Sequence, residues 1–324
     1  LGVIVPSAAG LVLIADITLP QKPWLRSGLA GLLLMVLGGL SWQRAWAYES
    51  EDGLWRDTLA KNPQCWMAYS NYGVNLFQEG RMDEAMDQFN KALEIDPNYT
   101  DAHNNLGNVL LQEGKVEEAM VHYRKALKIN PNIAETHYNL GNAFLQKGQA
   151  DEAIPEYERA LQIRPNYVEA HYNFGKALTI KGRRDEAIVQ YQDAVRIDPN
   201  YAEAYYNLGN ICLQQGQLDE AIAQYQKAVN INPNYADAHN NLGNALAKKG
   251  EVDEAMDQYQ QVLKINPNYA DARNNLGVIL LQKGRIDEAI VQYQEALRLQ
   301  PGFTAAQNNL ARAQAMLRPT GSGK

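Results

Sequence analysis

Four of the five histidines in this chain, His103, His137, His171 and His239, stand in register, 34 or 68 residues apart. Imidazole serves as metal ligand and as general base near neutral pH. Ligation needs donors that converge within a few ångströms. Histidines spaced by multiples of 34 residues fall on separate structural units, so the spacing predicts packing at a helix seam and no metal centre. Tyr69, Tyr205 and Arg273 fill the same slot elsewhere, and the out-of-register His122 has no partner that the sequence names. Seven carboxylate pairs share the period: Asp83-Glu84, Glu117-Glu118, Asp151-Glu152, Asp185-Glu186, Asp219-Glu220, Asp253-Glu254 and Asp287-Glu288. Paired carboxylates can do acid–base chemistry. Each of these pairs opens a helix, where negative charge meets the positive end of the dipole, and that explains every copy. There is no phosphate-binding glycine loop and no nucleophile motif. The chain is read as non-enzymatic and without a cofactor, with Cys65 and Cys212 as unpaired thiols.

The remaining chemistry is that of amides. Asn71, Asn105, Asn139, Asn173, Asn207, Asn241, Asn275 and Asn309 occur once per period. Asparagine is a poor helix former, by roughly 0.6 kcal/mol against alanine, and at 100° per residue it points away from the apolar stripe. Asn108, Asn142, Lys176, Asn210 and Asn244 lie beside it, in a slot that holds Val74 and Val278 in the outer periods. Recent duplication or hydrogen bonds between neighbouring units would explain such a row. A functional ladder explains it too: amides donate and accept, and would hold an extended polypeptide backbone with little regard to sequence. Asp101, Glu135, Glu169, Glu203, Asp237 and Asp271 rim the same face, so neutral or basic segments are the expected partners. A formal net charge of -7 argues against nucleic acid.

What positions these residues is a repeat. Pro63, Pro97, Pro131, Pro165, Pro199, Pro233, Pro267 and Pro301 recur every 34 residues without insertion, the mark of a solenoid. In Ala202 to Tyr235, two helical patterns flank Gly216, which suits a left-handed helix end. Asn232-Pro233 stops the second helix. Gly73, Gly107, Gly141, Gly175, Gly209, Gly243 and Gly277 lie inside the first helices, where glycine is costly, which implies a close helix approach. Phe89, Tyr123, Tyr157, Tyr191, Tyr225, Tyr259 and Tyr293 stand eight positions before a proline, and alanines recur opposite them.

These units resemble tetratricopeptide repeats in their small residues, ring and closing proline. The resemblance covers 66–303 as seven repeats: 66–99, 100–133, 134–167, 168–201, 202–235, 236–269 and 270–303. It implies an all-α fold, a right-handed superhelix of helix pairs with a groove lined by the first helices. The asparagine row resembles that of the O-GlcNAc transferase superhelix, which implies a groove for polypeptide. Residues 48–65 form a connector and half-repeat with Trp55 at the ring position. Residues 304–318 form a capping helix with Ala311 in the glycine slot, and 319–324 a disordered tail.

Residues 1–47 read as membrane helix or hairpin, the end of a longer membrane domain. Ser27 to Gln43 is uncharged between Arg26 and Arg44, with Trp24, Trp42 and Trp46 near its ends. The basic Lys22 turn favours the cytoplasm, which would leave the repeats extracytoplasmic. The function expected is a membrane-tethered module that holds polypeptide. In the alternative it is the non-catalytic part of a membrane glycosyltransferase, since residues 55–68 and the preceding helix resemble the junction in protein O-mannosyltransferases with C-terminal repeats. A soluble assembly scaffold is the second alternative.

Overall fold

A computed structural model describes residues 51–317 and helical residues within 31–42. Most of the expected membrane segment 1–47 and the tail 319–324 lie outside the described residues. Among these, no helix is long and apolar enough to cross a membrane. The described chain is helical, with turns and no strand. It forms two compact units, one ending at Pro131 and one beginning at Asn132.

The first unit holds α1 (Glu51–Lys61), α2 (Trp66–Gln78), α3 (Met82–Ile95), α4 (Thr100–Gln112) and α5 (Val116–Ile129). The second holds α6 (Ala134–Gln146), α7 (Ala150–Ile163), α8 (Val168–Ile180), α9 (Arg184–Ile197), α10 (Ala202–Gln214), α11 (Leu218–Ile231), α12 (Ala236–Lys249), α13 (Val252–Ile265), α14 (Ala270–Gln282), α15 (Ile286–Leu299) and α16 (Thr304–Leu317). From α2 to α15 the helices pair as hairpins, and each hairpin packs on the next within its unit.

Local chemistry sets each boundary. Gly216 has φ 78°, a conformation that only glycine adopts cheaply. Its N–H donates to Leu213 O at 3.2 Å and that of Gln217 donates to Cys212 O at 2.9 Å, closing α10 as a Schellman turn. At the other end of the hairpin, Asn232 is extended before Pro233. Its Oδ1 accepts from the Asn234 N–H at 3.1 Å, and Asp198 and Asn266 repeat the turn. Pro155 sits early in α7, and the helix runs through it.

The core contact is a ring lying on a glycine. A Cβ added to Gly209 would come within 2.6 Å of Tyr225 Cε1, and one on Gly141 within 2.7 Å of Tyr157 Cε1. The same clash recurs in every hairpin, with Phe89 on Gly73 in the first. These rings are fully or almost fully buried, as are the alanines beside them such as Ala221 and Ala228. Burial of each ring contributes about 1.5–3 kcal/mol.

Gly209→Ala tests this contact. On propensity alone the change would stabilise α10 by up to about 1 kcal/mol. The overlap with Tyr225 should instead destabilise the second unit by about 1–3 kcal/mol, read as a lower urea midpoint by circular dichroism. A raised midpoint would refute the contact.

Candidate functional site: the first-helix amide face

The ring on each glycine ends in a hydroxyl, and that hydroxyl builds the candidate site. Tyr157 donates from its hydroxyl to Asn142 Oδ1 at 2.7 Å. Asn173, in the next repeat, donates from Nδ2 to the same Oδ1 at 3.0 Å and to the Tyr138 hydroxyl at 3.1 Å. Two repeats on, Tyr225 donates to Asn210 at 2.7 Å, and Asn241 donates to Asn210 at 3.0 Å and to Tyr206 at 3.2 Å. Tyr259 and Asn275 meet on Asn244 at 2.8 and 2.9 Å. Asn309 of α16 donates to Asn274 at 2.9 Å. In the first unit Tyr123 donates to Asn108 at 2.8 Å. Each such bond contributes about 1 kcal/mol net.

The asparagine row is therefore a fastening between repeats. Asn105, Asn139, Asn173, Asn207, Asn241, Asn275 and Asn309 are half-buried, and Asn71 at the start of the row is exposed. Where Nδ2 is fixed by two donated bonds, as in Asn173, Asn241 and Asn275, the amide is left to act as an acceptor through Oδ1. The expectation that the row both donates and accepts is narrowed accordingly.

The neighbouring slot supplies the ring's acceptor in four repeats and departs from that pattern in three. Val74 faces a ring without a hydroxyl, Phe89, and asparagine faces tyrosine at 108, 142, 210 and 244. At 176 the residue is lysine, and Tyr191 turns to Thr179 Oγ1 at 3.3 Å. At 278 it is valine, which leaves the Tyr293 hydroxyl buried with no partner among the described residues. Lys176 is exposed, with Nζ 5.5 Å from the centre of the Tyr172 ring. Lys176 thus occupies the slot that in other repeats holds the acceptor for the next row asparagine, here Asn207.

Sequence reasoning missed Tyr138, Tyr172 and Tyr206. Their rings lie 4.9, 5.0 and 5.0 Å from those of Tyr167, Tyr201 and Tyr235, in a slot held by Ser70, Asn104, Asn240 and Asn274 in other repeats. Comparing the residue just before each row asparagine would have found them. Burial pushes the Tyr138 and Tyr172 hydroxyls up, and Tyr191 to about 12, so all three remain protonated donors at neutral pH.

The histidines do lie at the seam, and they hold it by hydrogen bonds. His171 Nε2 is 2.9 Å from the Pro165 carbonyl oxygen and Nδ1 is 2.8 Å from Gln190 Oε1. His239 repeats this with Pro233 and Gln258 at 3.0 and 2.7 Å, and Arg273 and Gln307 also reach the preceding proline carbonyl. His137 pairs with Glu156 at 2.6 Å. His122 does have a partner: its Nδ1 lies 3.0 Å from that of His103. The helix-opening carboxylates Glu84, Glu186 and Glu288 pair with Arg81, Arg183 and Arg285 at the surface, where such pairs add little stability.

Hairpins closed by a ring-on-glycine core and stacked within each unit, with amides on the first helices fastening one repeat to the next, define an α-helical repeat protein. A family model described as TPR repeat matches residues 73–114, 107–148, 141–182, 175–213, 209–250 and 243–284, and one described as tetratricopeptide repeat matches 270–303. The chain belongs to the tetratricopeptide repeat family. No curated protein sequence matches it. Among solved structures it is similar to YrrB, titled "a TPR protein with an unusual peptide-binding site". YrrB is 27% identical with TM-score 0.50, over 57% of this chain and 96% of YrrB. The Pseudomonas aeruginosa pilF structure is 27% identical with TM-score 0.59, over 66% and 97%. The APC/C hetero-tetramer Cut9-Hcn1 shares the fold at 21% identity, TM-score 0.59, over 81% of this chain and 52% of that one.

Val278→Asn should give the Tyr293 hydroxyl its acceptor and raise stability by about 1 kcal/mol. Tyr225→Phe should lower it by a similar amount, while Tyr293→Phe should be neutral or stabilising. Denaturant midpoints of the three variants check the network. Equal effects for the two Tyr→Phe changes would refute it.

Proposed function

We propose that this chain is a protein-interaction module that binds extended polypeptide along its first-helix face. The observation that carries the reading is the fixed amide: Asn173, Asn241 and Asn275 are each held through Nδ2 by two hydrogen bonds. Asn173 offers an oriented Oδ1 to a backbone N–H of the bound segment, and Asn241 and Asn275, whose Oδ1 atoms already accept from Asn240 and Asn274 at 3.4 and 3.2 Å, offer their second lone pair. Groups already fixed lose little entropy on binding. The peptide-binding site named for YrrB supports the same reading. The exposed carboxylates Glu135, Glu169, Glu203, Asp237 and Asp271 are also acceptors, so the segment is neutral or basic. Lys176 interrupts them and marks the place where an acidic side chain of the partner is tolerated.

The module is tethered through residues 1–47, whose uncharged Ser27 to Gln43 stretch lies between Arg26 and Arg44, with the repeats on the extracytoplasmic side. Alkaline extraction should leave the chain with the membrane fraction, and recovery in the supernatant would remove the tether from the proposal.

Lys176 takes no part in the amide network, so a photoreactive residue there probes the face without loosening it. It should capture unfolded polypeptide, while the same residue at exposed Val189 on α9 should not. Basic peptides should bind several-fold more tightly than acidic ones at low salt, with the gap closing as ionic strength screens the rim. Capture at Val189 alone, or tighter binding of acidic peptides, would overturn the proposal.

A further inference from the structure

His103 and His122 form a step unlike the others along the seam. Elsewhere a ring or guanidinium meets an amide or a carboxylate, as in His171 with Gln190, His239 with Gln258, Arg273 with Gln292 and His137 with Glu156. Here two imidazoles face each other with Nδ1 atoms 3.0 Å apart. His103 Nε2 lies 3.2 Å from the Pro97 carbonyl oxygen, which can only accept, so the ring proton belongs on Nε2. The lone pair of His103 Nδ1 therefore points at His122. Ligating histidines are held this way, with one nitrogen anchored on a carbonyl and the other left for the metal.

The distance fits the same chemistry. Two nitrogens at about 2.0–2.1 Å from one ion stand about 2.9 Å apart at a right angle and about 3.4 Å apart at the tetrahedral angle. The observed contact is a hydrogen bond donated by His122 Nδ1, so ligation moves the His122 proton to Nε2 and turns both lone pairs off the line between the nitrogens. The two rings line a cleft of 1090 Å³ that belongs wholly to the first unit and has room for an ion and its waters.

We propose that His103 and His122 form a two-histidine site for a divalent transition-metal ion, with water completing the coordination. No group of three His, Cys, Asp or Glu among the described residues could hold a metal ion, so the site is open and exchangeable. Lys91, Lys125 and Lys128 border the cleft beside Asp87 and Glu94. That surrounding charge disfavours ions held by electrostatics alone, such as Ca²⁺ or Mg²⁺. Imidazole ligands select zinc, copper or nickel.

The phased histidines gave no convergence in the sequence because they lie on different repeats. The convergence comes from the unphased His122, on the partner helix of the same repeat.

Ni²⁺ is a suitable probe, titrated calorimetrically into the full chain. The wild type should take up one saturable equivalent. His122→Gln should weaken that equivalent by at least about tenfold. Glutamine fills this slot at 190, 224 and 258, so the variant should fold, and an unchanged metal-free melting curve verifies that. His239→Gln, in the second unit, should bind Ni²⁺ as the wild type does. Equal Ni²⁺ binding by wild type and His122→Gln, or no saturable equivalent in the wild type, would overturn the proposal.

Discussion

Each repeat depends on one contact, the face of an aromatic ring occupying the space where a first-helix residue would carry Cβ. Glycine is the only residue that leaves that space, which is why a costly residue is kept inside seven helices. The ring is buried, but its hydroxyl emerges beside the first helix. Tyr225 lies on Gly209 at one end and donates to Asn210 at the other, and Asn210 also receives Asn241 from the following repeat. The contact that closes a hairpin thus also sets the position of the next one. Core packing and the amide face are parts of a single device.

Because each repeat touches only its neighbours, departures from the pattern are repaired locally. Phe89 brings no hydroxyl, and Val74 offers no acceptor. Lys176 cannot accept, and Tyr191 turns to Thr179. The Tyr293 hydroxyl is left buried and unanswered among the described residues, beside Val278. This locality lets one lysine enter an amide row without disturbing the repeats around it.

Much of this was legible in the sequence, since the signals are local and repeated. The turn glycines, the proline stops, the ring and its glycine are fixed by spacings within one repeat, and seven copies average out the noise. The asparagines were harder to read. Helical geometry gave the direction in which Asn173 points, but its acceptors, Asn142 and Tyr138, lie one repeat back in the chain. The valine at 74 follows the missing hydroxyl of Phe89, fifteen residues later in the sequence, whereas at 176 and 278 the ring keeps its hydroxyl, and Tyr191 turns to Thr179 while Tyr293 finds no partner among the described residues. His122 was illegible for the opposite reason: it occurs once, so no period reveals its role, and its partner sits nineteen residues away on the other helix of the hairpin.

The fastening between repeats also bears on the proposed recognition by this face. An asparagine free in solvent is indifferent, able to pair with either half of a peptide group. One whose two N–H bonds are already donated is an acceptor alone. Along the second unit the fixed oxygens of Asn173, Asn241 and Asn275 stand among the exposed carboxylates Glu135, Glu169, Glu203, Asp237 and Asp271, which are acceptors as well. Every group in that row except Lys176 asks for a donor. Backbone N–H groups, lysine and arginine supply donors, and ionised acidic side chains do not. The proposed preference for basic or neutral extended segments thus rests on the hydrogen bonds that hold the repeats together, and the rim charge adds to it.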